Sequence, residues 1–496
     1  MQTLQDKLNR YLDAGFPIIY LHSFEEEKCD DIIKQAVGNR EVMMWNEATG
    51  FFVDGTSTDL ADDSLLGILD IINYAPEELD GRILVLKDIH NYMTDGKVIA
   101  LLKQYAMQIV NGLDFCIVIV SSVRVIPKEL ENFITLLELD PLTQEEIQNV
   151  IVDFIEEQDV PKPTDKLLRE FAIALKGLSE FEIRNILALA LSENNELNPS
   201  DLELITEQKA QVIKKSGILE LIPVNESIDD IGGLENLKTW LKRKAAVIKD
   251  IDKAREFGVD VPKGVLIAGM PGCGKSLNAK AAAKLFGVPL LRMDMGRLMG
   301  KYVGESEANM RKAIALAEAI SPCVLWIDEL EKAFAGISGD GAGAEIATRL
   351  FGTFLTWLQE KKSLAFVLAT ANDISKLPPE LLRKGRFDEI FYVALPNNAE
   401  RKKIFEIHLA KRRPVDLKSI DLEQLVRKTD GYSGADIEGV VKDSVETAFT
   451  LGKNCLTTDD VLVAIKNTHS LSEVMKEPIK IMKEVYEKCK FKNASR

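Results

Sequence analysis

The segment GMPGCGKS, from Gly269 to Ser276, has the residue types and spacing needed to bind phosphate. An apolar run precedes it and a helix-forming run follows, which predicts a strand, a loop and a helix. Glycines let backbone N–H groups approach phosphate oxygens, and the helix start adds its positive dipole. We predict that Lys275 reaches the outer phosphates and that Ser276 offers a hydroxyl to Mg²⁺. The predicted nucleotide contacts here are Gly269, Met270, Pro271, Gly272, Cys273, Gly274, Lys275, Ser276 and Leu277.

Two further apolar runs end in polar residues that suit phosphate hydrolysis. CVLWIDE ends in Asp328 and Glu329, and buried carboxylates are costly unless they have a cation or a catalytic task. Asp328 suits Mg²⁺ through its water shell, and Glu329 is placed to deprotonate an attacking water. LAFVLATAND brings Asn372 to the end of another strand, where it would sense the γ-phosphate or hold the water. These strands predict a parallel α/β sheet that gathers the three side chains at its carboxyl edge.

From about residue 228 to residue 470 these motifs, in their order and spacing, resemble the classical AAA ATPases. DDIGGLENLKTWLKR is similar to the family's adenine-side entry segment, which implies base contacts from Asp230, Ile231 and Gly232. IFEIHLAKR has His408 where the family has an adenine-facing histidine. GYSGADIEGVV resembles its lid segment, which implies that Gly434 and Ala435 lie near the nucleotide.

The segment LLRKGRFD resembles the arginine-finger motif of the family. This resemblance implies that Arg383 and Arg386 act in trans on the ATP of a neighbouring subunit, in a homo-oligomeric ring that is usually a hexamer. Spacing alone is equally typical of surface arginines in salt bridges.

The segment GKYVGESEANMRK is similar to the first pore loop of the family. The resemblance implies that Lys301, Tyr302 and Val303 project into a ring channel and grip an extended polypeptide. The alternative is an aromatic side chain that packs under its own loop. The glycine-rich segment 336–345 falls where a second pore loop is expected.

The first half of the chain repeats the plan of the second half in weak form. GLSEFEIRN at 177–185 echoes GYSGADIEG at 431–439, and several strand patterns recur at an offset of about 250 residues. Lys28 and Asp88 match Lys275 and Asp328 in this comparison. The expected phosphate loop is replaced by SFEEE, whose acids repel phosphate. We therefore predict a degenerate AAA-like α/β domain that does not hydrolyse ATP, the alternative being an unrelated α/β docking domain.

This layout resembles the poorly characterised AAA proteins of algal plastid genomes and cyanobacteria over nearly the whole chain. The predicted fold class is α/β, an AAA-type P-loop parallel sheet with a helical lid, preceded by the degenerate domain. The predicted divisions are a degenerate domain at 1–200, a linker at 201–227, a large ATPase subdomain at 228–396, a lid at 397–470 and a Lys-rich helical tail, interrupted by Pro478, at 471–496.

Composition restricts the class of protein. The 496 residues have a net charge of −16, which argues against general nucleic-acid binding because an acidic field repels phosphate backbones. We find no signal peptide and no apolar run long enough to span a bilayer. The six cysteines show no paired spacing, so neither a zinc site nor a disulfide framework is predicted. A cytoplasmic location, or the plastid stroma for a plastid-encoded chain, is expected.

The predicted function is Mg²⁺-dependent ATP hydrolysis by a ring, coupled to remodelling or threading of protein substrates. The alternative is a nucleotide-switched scaffold that recruits a partner through its first domain. Nothing in the sequence identifies the protein client.

Overall fold

The structure is a computed structural model. It describes residues 3–58, 60, 62–74, 79–194, 196–215, 217–298, 305–334, 342–383, 385–489 and 491–496. The chain divides into two compact units, one formed by Met1–Lys162 with Leu178–Asn195 and the other by Pro163–Gly177 with Glu196–Arg496.

Within the described residues, each unit contains one seven-stranded sheet. The strands of the first are β1 (Ile18–His22), β2 (Glu41–Asn46), β3 (Gly50–Val53), β4 (Thr56–Ser57), β5 (Arg82–Lys87), β6 (Phe115–Ser121) and β7 (Ile134–Glu138). The strands of the second are β8 (Leu219–Ile222), β9 (Gly264–Gly269), β10 (Leu290–Met293), β11 (Cys323–Ile327), β12 (Ala365–Ala371), β13 (Glu389–Val393) and β14 (Lys492–Asn493).

Helices cover the sheets and form the lid of the second unit. In chain order they are α1 (Leu4–Asp13), α2 (Glu26–Val37), α3 (Leu65–Tyr74), α4 (Gly96–Val110), α5 (Gln144–Glu157), α6 (Asp165–Leu175), α7 (Glu180–Asn194), α8 (Asp201–Lys215), α9 (Glu235–Lys249), α10 (Ile251–Glu256), α11 (Leu277–Phe286), α12 (Met295–Leu298), α13 (Glu305–Ile320), α14 (Leu330–Phe334), α15 (Ala342–Glu360), α16 (Asn398–Arg412), α17 (Leu422–Lys428), α18 (Gly434–Thr450), α19 (Thr458–Asn467), α20 (Leu471–Val474) and α21 (Lys476–Cys489).

Both sheets have the same parallel core. In the first sheet the order is β2-β5-β6-β1-β7, and in the second it is β10-β11-β12-β9-β13, with every neighbouring pair parallel. The strands β1, β5 and β6 correspond in this order to β9, β11 and β12. The common architecture predicted from weak sequence echoes is therefore present in the strand order.

The central strands of both sheets are predominantly apolar because they are buried on both faces, and β6 and β12 each contain one hydroxyl residue, Ser121 and Thr370. In β6 every residue is buried, and the same is true of β9, β11 and β12. Successive side chains point to opposite faces. In the first sheet Ile117 and Ile119 belong to one core cluster, and Val118 and Val120 belong to the other. The chain has the predicted α/β class, with an AAA-type sheet, a helical lid and a preceding α/β domain.

The lid is a separate cluster of helices with its own core. Residues of α16, α17, α18 and α19 pack together around Phe405, Leu425 and Val441, each of which is almost fully buried. The helix α18 begins with a capping box, in which Ser433 and Asp436 exchange backbone and side-chain hydrogen bonds. Ser179 and Glu182 form the same exchange at the start of α7, as the twin segments predicted.

The described residues of 201–227 contain regular structure. The helix α8 spans Asp201–Lys215, and β8 pairs antiparallel with β10 at the edge of the second sheet. The helical tail is interrupted, as the sequence suggested, but the break falls at Met475, between α20 and α21, and not at Pro478. Pro478 lies in the first turn of α21, where a helix tolerates proline because that turn's N–H groups have no intrahelical partner. Within the described residues, no helix combines the length and apolarity required to cross a bilayer.

Candidate nucleotide site

A cavity of about 430 Å³ lies at the carboxyl edge of the second sheet. Sixteen of the residues predicted to contact nucleotide or metal line it, from the loop after β9, the ends of β11 and β12, the entry segment and the lid. They are Asp230, Ile231, Gly232, Pro271, Gly272, Cys273, Gly274, Lys275, Ser276, Leu277, Asp328, Glu329, Asn372, His408, Gly434 and Ala435. Gly269 and Met270 are not in the lining, and their carbonyl groups face Lys275 instead.

Lys275 is held by the backbone of its own loop. Its Nζ donates to the carbonyl oxygens of Gly269 and Met270 at 2.8 and 2.6 Å. Only 7% of the residue is exposed, and burial lowers the pKa of its ammonium group to about 8. The charges of Glu331, Asp328 and Glu329 act in the opposite direction. A buried ammonium with only carbonyl partners is suited to receive an anionic ligand.

The loop after β9 needs glycine at two places for different reasons. Gly274 has a φ of 79°, a left-handed conformation that disfavours other residues. At Gly272 a Cβ atom would lie 2.9 Å from the Ser433 hydroxyl and 3.0 Å from the Ala435 Cβ. The Ala435 N–H also donates to the Gly272 carbonyl at 2.9 Å. The phosphate loop and the lid therefore touch, backbone to backbone.

Asp328 and Ser276 form the oxygen cluster predicted for a metal. The Ser276 hydroxyl donates to Asp328 Oδ1 at 3.1 Å. Thr370 donates to the same oxygen at 2.5 Å. Thr370 was not predicted from the sequence. It is the one hydroxyl residue in an otherwise apolar buried strand, and a buried hydroxyl needs a hydrogen-bond partner, so its position could have indicated a role in the site.

Glu329 and Asn372 are brought together by neighbouring strands. The Asn372 amide Nδ2 donates to Glu329 Oε1 at 3.2 Å. Glu329 has a φ of 50°, and its N–H donates to the Thr370 hydroxyl at 3.1 Å. Lys332 forms an ion pair with the other carboxylate oxygen at 2.5 Å. The left-handed backbone directs the chain away from the strand and leaves this carboxylate at the cavity wall.

The entry segment and the lid helix α16 also line the cavity. Ile231 is buried, and a Cβ at Gly232 would lie 2.5 Å from the Ile404 side chain, so entry segment and lid are closely packed. His408 is half-buried and lies 3.3 Å from Arg412. Burial lowers the pKa of His408, which favours a neutral imidazole that can contact a base.

Arg383 and Arg386 do not line the cavity of their own chain. Arg383 is exposed and borders a second cavity, of about 980 Å³, together with Lys263 and Lys361. Arg386 is half-buried and donates to the Leu355 carbonyl at 2.7 Å. Their action on a neighbouring subunit stays a prediction. Lys301, Tyr302 and Val303 lie outside the residues that the structure describes, and so do residues 336–341 of the segment expected to form a second pore loop.

Family comparisons agree with this geometry. Residues 265–395 match the model of the ATPase family associated with various cellular activities, and residues 419–463 match the AAA+ lid domain. Residues 4–139 and 145–216 match the N-terminal and second domains of SpoVK-like AAA ATPases.

Two relatives resemble the chain over nearly its full length. The "uncharacterized AAA domain-containing protein ycf46" of Guillardia theta is 40% identical over 93% of this chain and 90% of its own. The same protein of Pyropia yezoensis is 37% identical over 97% and 96%. The chain belongs to the AAA ATPase family. The chain is also similar to "cell division control protein 48 homolog C" of Arabidopsis thaliana, with 36% identity over 47% of this chain and 28% of the relative.

In the first unit of this AAA protein, an acidic residue occupies the position equivalent to Lys275 and a basic residue occupies the position equivalent to Asp328. The helices α2 and α11 end at Gly38 and Gly287, respectively. When residues are counted back from these two glycines, Glu26 is equivalent to Lys275. Asp88 and Glu329 follow equivalent strands and both have a left-handed backbone, so Lys87, one residue earlier, holds the place of Asp328.

These positions correct the matches made from sequence. Lys28 corresponds to Leu277, because the loop after β1 is shorter than the loop after β9. Asp88 corresponds to Glu329, because both have a left-handed backbone after equivalent strands. The Lys87 ammonium is nearly buried and pairs with Asp30 at 2.6 Å and with Glu26 at 3.8 Å. The chain's own carboxylates thus meet the cation at the first sheet's carboxyl edge.

Proposed function

We propose that the chain hydrolyses ATP within a homo-oligomeric ring and uses the energy to remodel or thread protein substrates. The observation that supports this most directly is the position of Asn372 within hydrogen-bonding distance of Glu329, on the cavity that Lys275 also lines. This arrangement brings a carboxylate and an amide to one place, where together they can orient a water molecule.

The roles follow from the chemistry of each side chain. Lys275 would exchange its backbone carbonyl partners for phosphate oxygens, which bind an ammonium more strongly because they are anionic. Glu329 would accept a proton from the attacking water, and Asn372 would fix the carboxylate and the water relative to each other. His408 and the entry segment would enclose the adenine, since they line the same cavity as Lys275 and Glu329.

The residues present also fit Mg²⁺. Among the described residues no group of three or more His, Cys, Asp or Glu side chains could hold a metal by itself. Mg²⁺ bound with a nucleotide needs only one or two protein oxygens, because phosphates and waters complete its shell. Ser276 and Asp328 supply such oxygens 3.1 Å apart. When bound, the ion would neutralise phosphate charge.

A ring is favoured because Arg383 and Arg386 do not line the cavity of their own chain. Arginine stabilises the charge of a phosphoryl transition state, so a cavity without one is incomplete. A neighbouring subunit, most simply in a hexamer, would supply the arginine. We further propose a cytoplasmic or plastid-stromal location.

The test of remodelling is the ATPase rate with and without a permanently unfolded protein. We expect the unfolded protein to stimulate wild type and the Tyr302→Phe variant, because both keep an aromatic pore residue. Tyr302→Ala should lose the stimulation. A slow rate that unfolded protein does not change, together with nucleotide-dependent assembly, would favour the scaffold function instead.

A further inference from the structure

The backbone of Asn372 is held on both sides by side chains from outside its strand. Its N–H donates to Glu331 Oε1 at 3.0 Å. Its carbonyl oxygen accepts from the Tyr486 hydroxyl at 3.4 Å. Together with the hydrogen bond from the Asn372 side-chain amide to Glu329, three contacts define the orientation of Asn372. One of them comes from the C-terminal tail, more than 100 residues away in sequence.

Tyr486 is built into this place by close packing. Only 3% of the residue is exposed, and its ring stacks on Tyr392 with centroids 4.2 Å apart and planes at 27°. The Phe491 ring lies 6.3 Å away. Burial raises the pKa of the Tyr486 phenol well above its usual range, so the hydroxyl stays protonated and remains a hydrogen-bond donor. A ring fixed by stacking gives its hydroxyl a defined position.

The tail that bears Tyr486 is anchored at both ends. After α21, β14 pairs with β13 at the edge of the sheet, and the Ala494 carbonyl accepts from the N–H groups of Asn236 and Leu237 at 3.0 and 3.2 Å. Before α21, the Leu471 N–H donates to Asp436 Oδ2 at 3.0 Å. Asp436 belongs to the capping box of α18, whose first residues contact the phosphate loop.

We propose that residues 471–496 act as a strap between the lid and the sheet that positions Asn372 for ATP hydrolysis, with Tyr486 as the positioning residue. This inference rests on the proposed function of the same site. The strap would let the lid, which contacts the phosphate loop, influence the residue that orients the attacking water. Tyr486 itself does not line the nucleotide cavity.

The simplest rival is that Tyr486 only fills the core. Tyr486→Phe separates the two because it keeps the stacked ring and removes only the hydroxyl. Tyr392→Phe is the matched control. It removes the hydroxyl of the other stacked ring, for which the described part of the chain offers no hydrogen-bond partner.

We expect Tyr486→Phe to lower kcat about three- to tenfold, the effect of one neutral hydrogen bond. KM for ATP and the Kd of a fluorescent ATP analogue should stay within about twofold, since Tyr486 does not line the nucleotide cavity. Tyr392→Phe should match wild type in all three quantities. Equal kcat for Tyr486→Phe and wild type would overturn the proposal.

A double-mutant cycle with Asn372→Ala provides the second test. If Tyr486 acts through the Asn372 amide, Tyr486→Phe should have no further effect on kcat once that amide is absent. The same loss in both backgrounds would show that Tyr486 acts elsewhere, and the proposal would be wrong.

Hydrogen exchange separates this inference from the proposed function. The peptide containing residues 371–376 should exchange at least threefold faster in Tyr486→Phe than in Tyr392→Phe, whether or not wild type hydrolyses ATP. Faster exchange in Tyr486→Phe, together with a wild type that does not hydrolyse ATP, would retain the strap and reject the proposed hydrolysis. Unchanged exchange in an active enzyme would reject the strap alone.

Discussion

The Lys87 ammonium lies 2.6 Å from the Asp30 carboxylate, at the place in the first sheet where the second sheet has Asp328. The second sheet has a cation in the phosphate loop and an acid on the neighbouring strand. In the first unit the acids Glu26 and Asp30 lie on the helix α2, and the cation, Lys87, lies on the strand β5. This exchange opposes nucleotide binding because carboxylates would face phosphates.

We therefore predict one nucleotide per chain. Equilibrium binding of an ATP analogue should give a stoichiometry of one, and Lys28→Ala should change neither stoichiometry nor affinity, because Lys28 corresponds to Leu277 and not to Lys275. Two nucleotides per wild-type chain would disprove the charge-exchange interpretation of the first sheet.

Lys87→Met should destabilise the first unit without affecting nucleotide affinity. It leaves Asp30 and Glu26 without their cation, and Asp30 Oδ1 is already buried without a hydrogen-bond partner. The expected loss is about 1–3 kcal/mol, the cost of breaking a mostly buried ion pair. Urea unfolding measures it. Lys34→Met, on the same helix α2 but exposed, is the control and should stay near wild type.

Lys275→Ala and Glu329→Gln should impair the ATPase at different steps. Lys275→Ala removes the cation of the phosphate loop, so nucleotide binding should fall below detection or hydrolysis should stop. Glu329→Gln keeps the shape of the side chain and loses the base. It should bind ATP normally and turn over about 10²–10⁴ times more slowly. Binding by calorimetry and phosphate release measure the two steps, and near-normal turnover in either variant would contradict the site assignment.

Arg383 and Arg386 can be tested by mixing subunits. Arg386→Ala should bind ATP normally and lose most hydrolysis, since an arginine finger contributes about 10³–10⁵ in rate. Mixed with Lys275→Ala subunits it should recover activity, because one variant keeps its phosphate loop and the other keeps its arginines. Arg383→Ala should behave in the same way. Mixed rings that form and remain inactive would rule out action in trans.

The buried Lys209 should give the second unit a measurable pH dependence of stability. Only 5% of Lys209 is exposed, its Nζ donates to the Ala174 carbonyl at 2.7 Å, and burial lowers its pKa to about 8. Between this value and the higher pKa of the unfolded chain, the unfolded state binds more protons. This lysine therefore makes stability rise with pH above about 8.

The variant Lys209→Met removes this titration. The free energy of unfolding of this variant, relative to that of wild type, should be highest below pH 8. Between pH 8 and about pH 10.5 this difference should shift in favour of wild type by at most about 3 kcal/mol. Lys214→Met, exposed on the same helix, should show no such change. Urea unfolding at pH 7 and pH 10 gives the comparison. An identical difference at both pH values would show that Lys209 is not charged and buried in the folded state.

The sequence by itself determined the nucleotide site of the second unit, because its chemistry depends on residue types at short, fixed spacings. The loop from Gly269 to Ser276, the acids after β11 and Asn372 after β12 each follow a buried and predominantly apolar strand. Carboxyl ends of parallel strands meet at one edge of a sheet, so their convergence could be predicted. The capping boxes at Ser179 and Ser433 were predictable for the same reason, since their hydrogen bonds span three residues.

Tertiary structure alone decided the relationships that join distant parts of the chain. The sequence could not show that Lys87 pairs with Asp30, because strand register and the length of the loop after β1 fix that match. Nor could it show that Tyr486 reaches Asn372, since a lysine-rich helix exposes or buries a tyrosine according to the surface on which it packs. Local spacing specifies which groups are available for chemistry, whereas packing between distant elements decides which groups hold them in place.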